Sequence, residues 1–287
     1  MKTRIIFSNN GTLEDFTQEL NKYSSGTKTF DYAAAEDSLF IGVTLPINHL
    51  YFKFGLANTA NANMLIKIWD GNTFKAVAEF RDETNGFKNP NYSTWVPDRN
   101  NLWGKEDTVN SAGVEQVTGL GGITIYDKYW IKIDFSIDLD VGTTLSWLGH
   151  LFSDDAELGS EFPDLNRANT KAAFTSGKTD WEEQAVRAAI LIEDDLKKMK
   201  LIKHESQILD RDELMPASIQ KVAEIIYNSF GDDYLEQKKA ARTEYYSRLK
   251  KATKFDRDND GIVDPTEEIS YQGRISRGPE FLNEGFN

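Results

Sequence analysis

The chain has 287 residues, 46 acidic against 33 basic side chains for a formal charge of −13, and no cysteine. Its length accommodates two domains, and its acidity argues against a surface built to grip phosphates, because nucleic-acid affinity rests on lysine and arginine releasing counterions. Without cysteine there is no disulfide, thiolate zinc site or cysteine nucleophile.

The opening MKTRIIFSNNG has too short an apolar run for the core of an export signal, and no export signal is expected. No apolar stretch approaches the roughly 20 residues that cross a bilayer, so no membrane partner is expected. RIIF and TKTFDY predict edge strands. From Leu39 to Phe152 the apolar residues come in short runs, LFIGVTL, LYFKFGL, MLIKIW, FKAVAEF, GITIYDKYWIKIDFSI and TTLSWLGHLF, separated by turn chemistry such as Asp70-Gly71-Asn72. Alternation within them, as in Ile131, Ile133 and Phe135 against Trp130, Lys132 and Asp134, predicts strands with one buried face. The fold class expected is α+β, opening with an antiparallel, jelly-roll-like β-sandwich.

The segment SDDAELGSEFPDLNRANTKAAFTSGKT holds neither period for long and predicts a connection with at most one helical turn, at KAAF. After it the period changes. Thr179-Asp180-Trp181-Glu182 is a capping-box pattern, and Ala185, Ala188, Ala189, Ile192 and Leu196 then share one helical face. Pro216 suits a first helical position ahead of the stripe Ile219, Val222, Ala223, Ile226, Tyr227 and Phe230. Gly231 ends that helix, and Asp232 and Asp233 cap a third with Tyr234, Leu235, Ala241, Tyr245 and Leu249. The expected organisation is a β-domain over 1–152, a linker over 153–179, a helical bundle over 180–253, and an acidic loop with an extended C-terminal arm over 254–287.

The acidic loop DRDNDGIVDPTE carries the strongest chemical signal. Asp256, Asp258 and Asp260 stand at positions 1, 3 and 5, Ile262 offers its carbonyl at 7, and Asp264 and Glu267 occupy 9 and 12. That is the EF-hand order of oxygen ligands, with Gly261 at the sharp turn, and it predicts structural calcium. A single loop after a long helix reads as a clip rather than a sensor. The arm that follows has no apolar period, and Arg274, Arg277, Phe281 and Phe286 suit a segment that docks on a partner.

Other signals are weak. The acid pairs Asp154-Asp155, Glu182-Glu183, Asp194-Asp195 and Asp232-Asp233 read as caps and solvated faces, not as the two facing carboxyls of a glycosidase. His49, His150 and His204 lack metal-ligand spacing, and no catalytic activity is expected. Trp69, Trp95, Trp103 and Trp130 could form a platform for a glycan on the sandwich.

The helical part resembles the head-to-tail adaptor, or connector, proteins of tailed bacteriophages. The resemblance lies in DWEEQAVRAAILIEDDLKK, then MPASIQKVAEIIYNSFGDDYLEQKKAARTEYYSRLKKA with its Tyr245-Tyr246 pair, then the acidic DRDNDGIVDPTE. It implies an adaptor-type helical bundle in a structural virion protein at the neck, assembled in the host cytoplasm. It further implies a homo-oligomeric ring of about twelve copies beneath the portal. The arms would reach the portal protein, tail and neck proteins would dock below, and genome DNA would pass through without tight binding. The alternative is a calcium-stabilised carbohydrate-binding or adhesive protein.

Overall fold

A computed structural model describes residues 3–23, 26–96, 103–106, 117–121, 123, 128–209, 211–252, 254–258, 263, 266 and 267. The fold is α+β, with antiparallel sheets in the N-terminal part and helices in the C-terminal part. The strands are β1 Arg4–Asn9, β2 Thr12–Asp15, β3 Lys28–Thr29, β4 Ser38–Val43, β5 His49–Leu56, β6 Met64–Trp69, β7 Phe74–Ala76, β8 Ala78–Asp82, β9 Asn91–Val96, β10 Tyr129–Phe135 and β11 Thr144–Gly149. One sheet runs β2-β1-β4-β10-β6-β7 and the other β3-β11-β5-β9-β8.

Period-2 alternation puts Ile131, Ile133 and Phe135 of β10 into the same cluster as Leu50, Phe52 and Phe54 of β5, so the two sheets share one apolar core. The opposite face of the first sheet is also covered. There Ile6, Phe40, Trp69 and Trp130 pack with Val117 and Leu120, which explains why all of β4 is buried. Gly42 makes this possible, because a Cβ there would lie 3.0 Å from the Trp130 ring.

Two strand expectations differ in detail. RIIF is an inner strand, because Asn10 and Gly11 at positive φ turn the chain into β2, which takes the edge. NYSTWV forms β9 between β5 and β8, although its polar residues hide the alternation. Asp70-Gly71-Asn72 turns as expected, with Asp70 Oδ1 accepting from the backbone N–H of Asn72 at 2.8 Å and Thr73 at 2.7 Å.

The helices are α1 Thr17–Leu20, α2 Asp155–Glu161, α3 Ala168–Phe174, α4 Glu182–Lys198, α5 Arg211–Ser229 and α6 Leu235–Leu249. Within the expected connection, α2 forms because Asp154 and Glu157 complete a reciprocal capping box. The start of α4 is tied differently from expectation: Trp181 N–H donates to Asp155 Oδ1 at 2.7 Å, and Asp180 Oδ1 accepts from Glu182 N–H at 3.1 Å. Pro216 does not open α5 but lies inside it. The helix extends back to Arg211 because Leu214 is buried, and the proline costs only the helical donor to the Asp212 carbonyl in the first turn. Gly231 at φ 81° turns the chain into α6, which runs antiparallel to α5, as Lys238 on Asn228 Oδ1 and Arg248 on the Pro216 carbonyl record.

The helices cover the outer face of the second sheet. Tyr51, Tyr92 and Trp147 from β5, β9 and β11 share a cluster with Leu151, Trp181, Ala185, Ile219 and Val222. Trp181 also donates from Nε1 to the Leu165 carbonyl at 2.9 Å, fixing α4 to the turn between α2 and α3. Charge bridges the same seam: Lys53 pairs with Glu182, and Arg211 pairs with Glu157 while its guanidinium lies 3.7 Å over the Tyr92 ring.

Two imidazoles from distant parts of the chain meet under this seam, His49 and His150, with ring centroids 4.4 Å apart. Burial holds both well below the usual histidine range, His150 at about 3, so both are neutral in the fold. The unfolded chain protonates them near the ordinary value of about 6.5. Stability should therefore fall as pH drops from about 6.5 towards 3, where the unfolded state binds protons that the fold refuses. Thermal unfolding across that range, compared with His49→Gln/His150→Gln, should show a flatter slope for the variant.

Candidate metal centre

The acidic loop begins at an anchored residue. Phe255 is buried against the α4–α5–α6 cluster, and the next residue, Asp256, donates its N–H to the Gln207 carbonyl at 2.9 Å. Gln207 lies in a 3-10 turn, Glu205–Gln207, opened by His204 in a capping box. Its Oε1 accepts from the N–H of Lys203 at 2.5 Å and His204 at 3.1 Å, and its Nε2 reaches the Arg257 carbonyl at 3.3 Å. One buried glutamine thus joins the turn to the loop.

Glu267 returns to the loop's start. Its Oε1 accepts from Arg257 N–H at 2.6 Å and Asp258 N–H at 3.1 Å. Asp256, Asp258 and Glu267 consequently bring one carboxylate oxygen each to within 4.8 Å of one another. Asp256 and Glu267 are buried and Asp258 is exposed. Positions 1, 3 and 12 of the predicted ligand set therefore converge.

Oxygens bound to one calcium at 2.3–2.6 Å can stand no more than about 4.6–5.2 Å apart, and the observed spacing satisfies that limit. The donors are all carboxylate oxygens, the ligand type of a hard cation. The expected ligands Asp260, Ile262 and Asp264, and the arm residues Arg274, Arg277, Phe281 and Phe286, lie outside the described residues.

The other sequence signals occupy structural positions. Asp154 caps α2, Glu182 and Glu183 begin α4, and Asp232 and Asp233 form a turn before α6. The tryptophans do not present a common stacking face, since Trp69, Trp95 and Trp130 are at most 3% exposed and Trp103 is half-buried. Local sequence reasoning missed Gln207. The pattern His204-Glu205-Ser206-Gln207 is its only local signal, a cap followed three residues later by glutamine.

No helix among the described residues is long and apolar enough to cross a membrane. No protein family, curated protein or solved structure matches the chain.

Gln207→Ala removes the acceptor for two backbone N–H groups and the donor to the Arg257 carbonyl. It should cost about 1–3 kcal/mol in chemical denaturation. Faster hydrogen exchange should appear at Lys203, His204 and Asp256.

Proposed function

We propose that the chain is a structural, non-catalytic virion protein of a tailed phage: a head-to-tail adaptor that forms a ring under the portal, lines part of the DNA conduit and offers a platform to tail proteins. The observation that carries this reading is the anchoring of the acidic loop on Gln207 and on the helical cluster through Phe255. A docking arm can transmit load only if it leaves a fixed point, and Glu267, hydrogen-bonded back to the loop's start, supplies one. The net charge of −13 supports passage of DNA without retention, because like charge opposes sticking.

On this reading the sheets form a jelly-roll-like sandwich and α4, α5 and α6 an adaptor-type bundle. The core shared by the two sheets and the antiparallel α5–α6 pair support those finer assignments. Calcium is the cation of choice for the acidic loop, held by Asp256, Asp258, Asp260, Ile262, Asp264 and Glu267. Bound there, it offsets carboxylate repulsion and stiffens the arm's point of departure.

Calcium should raise the melting temperature of the full chain relative to the chelated protein, since a ligand binding only the folded state stabilises it. Asp256→Ala/Glu267→Ala should abolish the shift; an unchanged melting temperature in the wild-type chain argues against the calcium site.

Mixed with purified portal rings, the full chain should form rings visible by negative-stain microscopy. A chain lacking residues 274–287 should melt unchanged but pull down far less portal, because that segment has no periodic apolar face to contribute to a core. Equal capture by both forms would remove the arm from the docking role.

A further inference from the structure

A second feature lies beside the acidic loop but draws on different side chains. A cleft of about 450 Å³ opens where the free edge of the second sheet meets the helices. Three cations reach it from three separate segments: Arg81 from β8, Arg211 from the first turn of α5, and Lys254 from the chain after α6. Each of the three also has a carboxylate partner on the protein, Glu83, Glu157 and Glu213.

The cleft wall is strained. Glu79 holds a φ of 43°, uncommon for a residue with a side chain, at an irregularity of the β8–β9 pairing between Ala78 and Arg81. Backbone outliers of this type cluster at binding sites, where the strain aims side chains. Among the described residues, two buried donors of the cleft lining, Trp95 Nε1 and Arg211 Nε, have no hydrogen-bond acceptor. A buried N–H without an acceptor is costly.

The lining is mixed. Glu79 and Asp212 bring carboxylates, Asn48 and Thr94 neutral polar groups, and Val96, Leu209 and Val263 apolar surface. Arg81 pairs with Glu83 at 2.8 Å and is well exposed, and Lys254, about half exposed, pairs with Glu213 at 3.5 Å; pairs this exposed are weak enough to exchange for a ligand. Arg211 is different, because Glu157 and the Tyr92 ring fix it in place.

We propose that this cleft binds a small polyhydroxylated carboxylate, the chemistry of a uronic acid. The cations take the carboxylate, Glu79 and Asp212 accept from hydroxyl groups, and the apolar residues take the C–H face of the ring. A simple anion leaves the acidic and apolar walls unused, and a neutral sugar leaves the cations unused. The volume suits one or two sugar rings rather than a macromolecule.

The test is a titration of the ¹⁵N-labelled full chain with sodium glucuronate, glucose and sodium acetate, following the Trp95 indole N–H, assigned with Trp95→Phe. Glucuronate should shift that resonance saturably, and equal concentrations of glucose or acetate should not. Arg81→Ala/Lys254→Ala should weaken glucuronate at least about tenfold, the loss expected when charge-assisted hydrogen bonds go. If the double variant melts early, Lys254→Gln alone should weaken binding in a chain that melts like wild type. No glucuronate shift, an equal response to glucose or acetate, or full affinity in the folded variants overturns the proposal.

Discussion

The structure depends on the burial of one sheet face by helices. Tyr51, Tyr92 and Trp147 present flat aromatic surface on the outside of the second sheet, and α4 and α5 cover it with Ala185, Ala188, Ile219 and Val222. Small alanines let the helices approach closely, and the aromatics bring large area to the contact. Without that contact the second sheet would expose its tyrosines and tryptophan, and α4 and α5 would lose the surface they pack against.

Charge is placed so as to fix this contact in one register. Glu182 at the start of α4 accepts from Tyr23 at 3.0 Å and pairs with Lys53 of β5. Burial and the Glu182 carboxylate together push the Tyr23 hydroxyl well above its ordinary range, so it stays a donor. Arg211 performs the same task at α5, between Glu157 and Tyr92. Partly buried pairs contribute little net stability when intact, yet removing one partner leaves a charge without compensation. Removing either partner should therefore cost more than the intact pair contributes. Acid crowding elsewhere in the helical part is relieved differently: burial and the nearby Glu205 carboxylate push Glu193 up to about 7.

The acidic loop and the cleft are neighbours by construction. Lys254 and Val263 line the cleft, while Phe255 and Asp256 fasten the same stretch of chain to the helical cluster and to Gln207. Residues beside and within the loop and residues of the bulged strand β8 thus line one cleft. Each proposed site keeps its own chemistry: carboxylates for a hard cation on one side, cations and donors for an anion on the other.

Where a signal is local, the sequence alone determined the outcome. The stripe Ala185, Ala188, Ala189, Ile192 and Leu196 is buried as its 3.6 period requires, and the alternation in β10 sorts Ile131 and Ile133 to the core. The acidic loop was legible as a candidate site for the same reason, because twelve consecutive residues carry its pattern. Only the tertiary structure decided what lies far apart along the chain. It joined His49 to His150, brought Glu267 back onto Arg257 and Asp258, and assembled Arg81, Arg211 and Lys254 around one cleft. It also overrode Pro216 as a helix start, since burying Leu214 and docking Arg211 outweighed one lost backbone hydrogen bond. Periodicity reports which face of an element is apolar. It carries no information about which other element will cover that face, because burial is non-directional and many partners satisfy it equally.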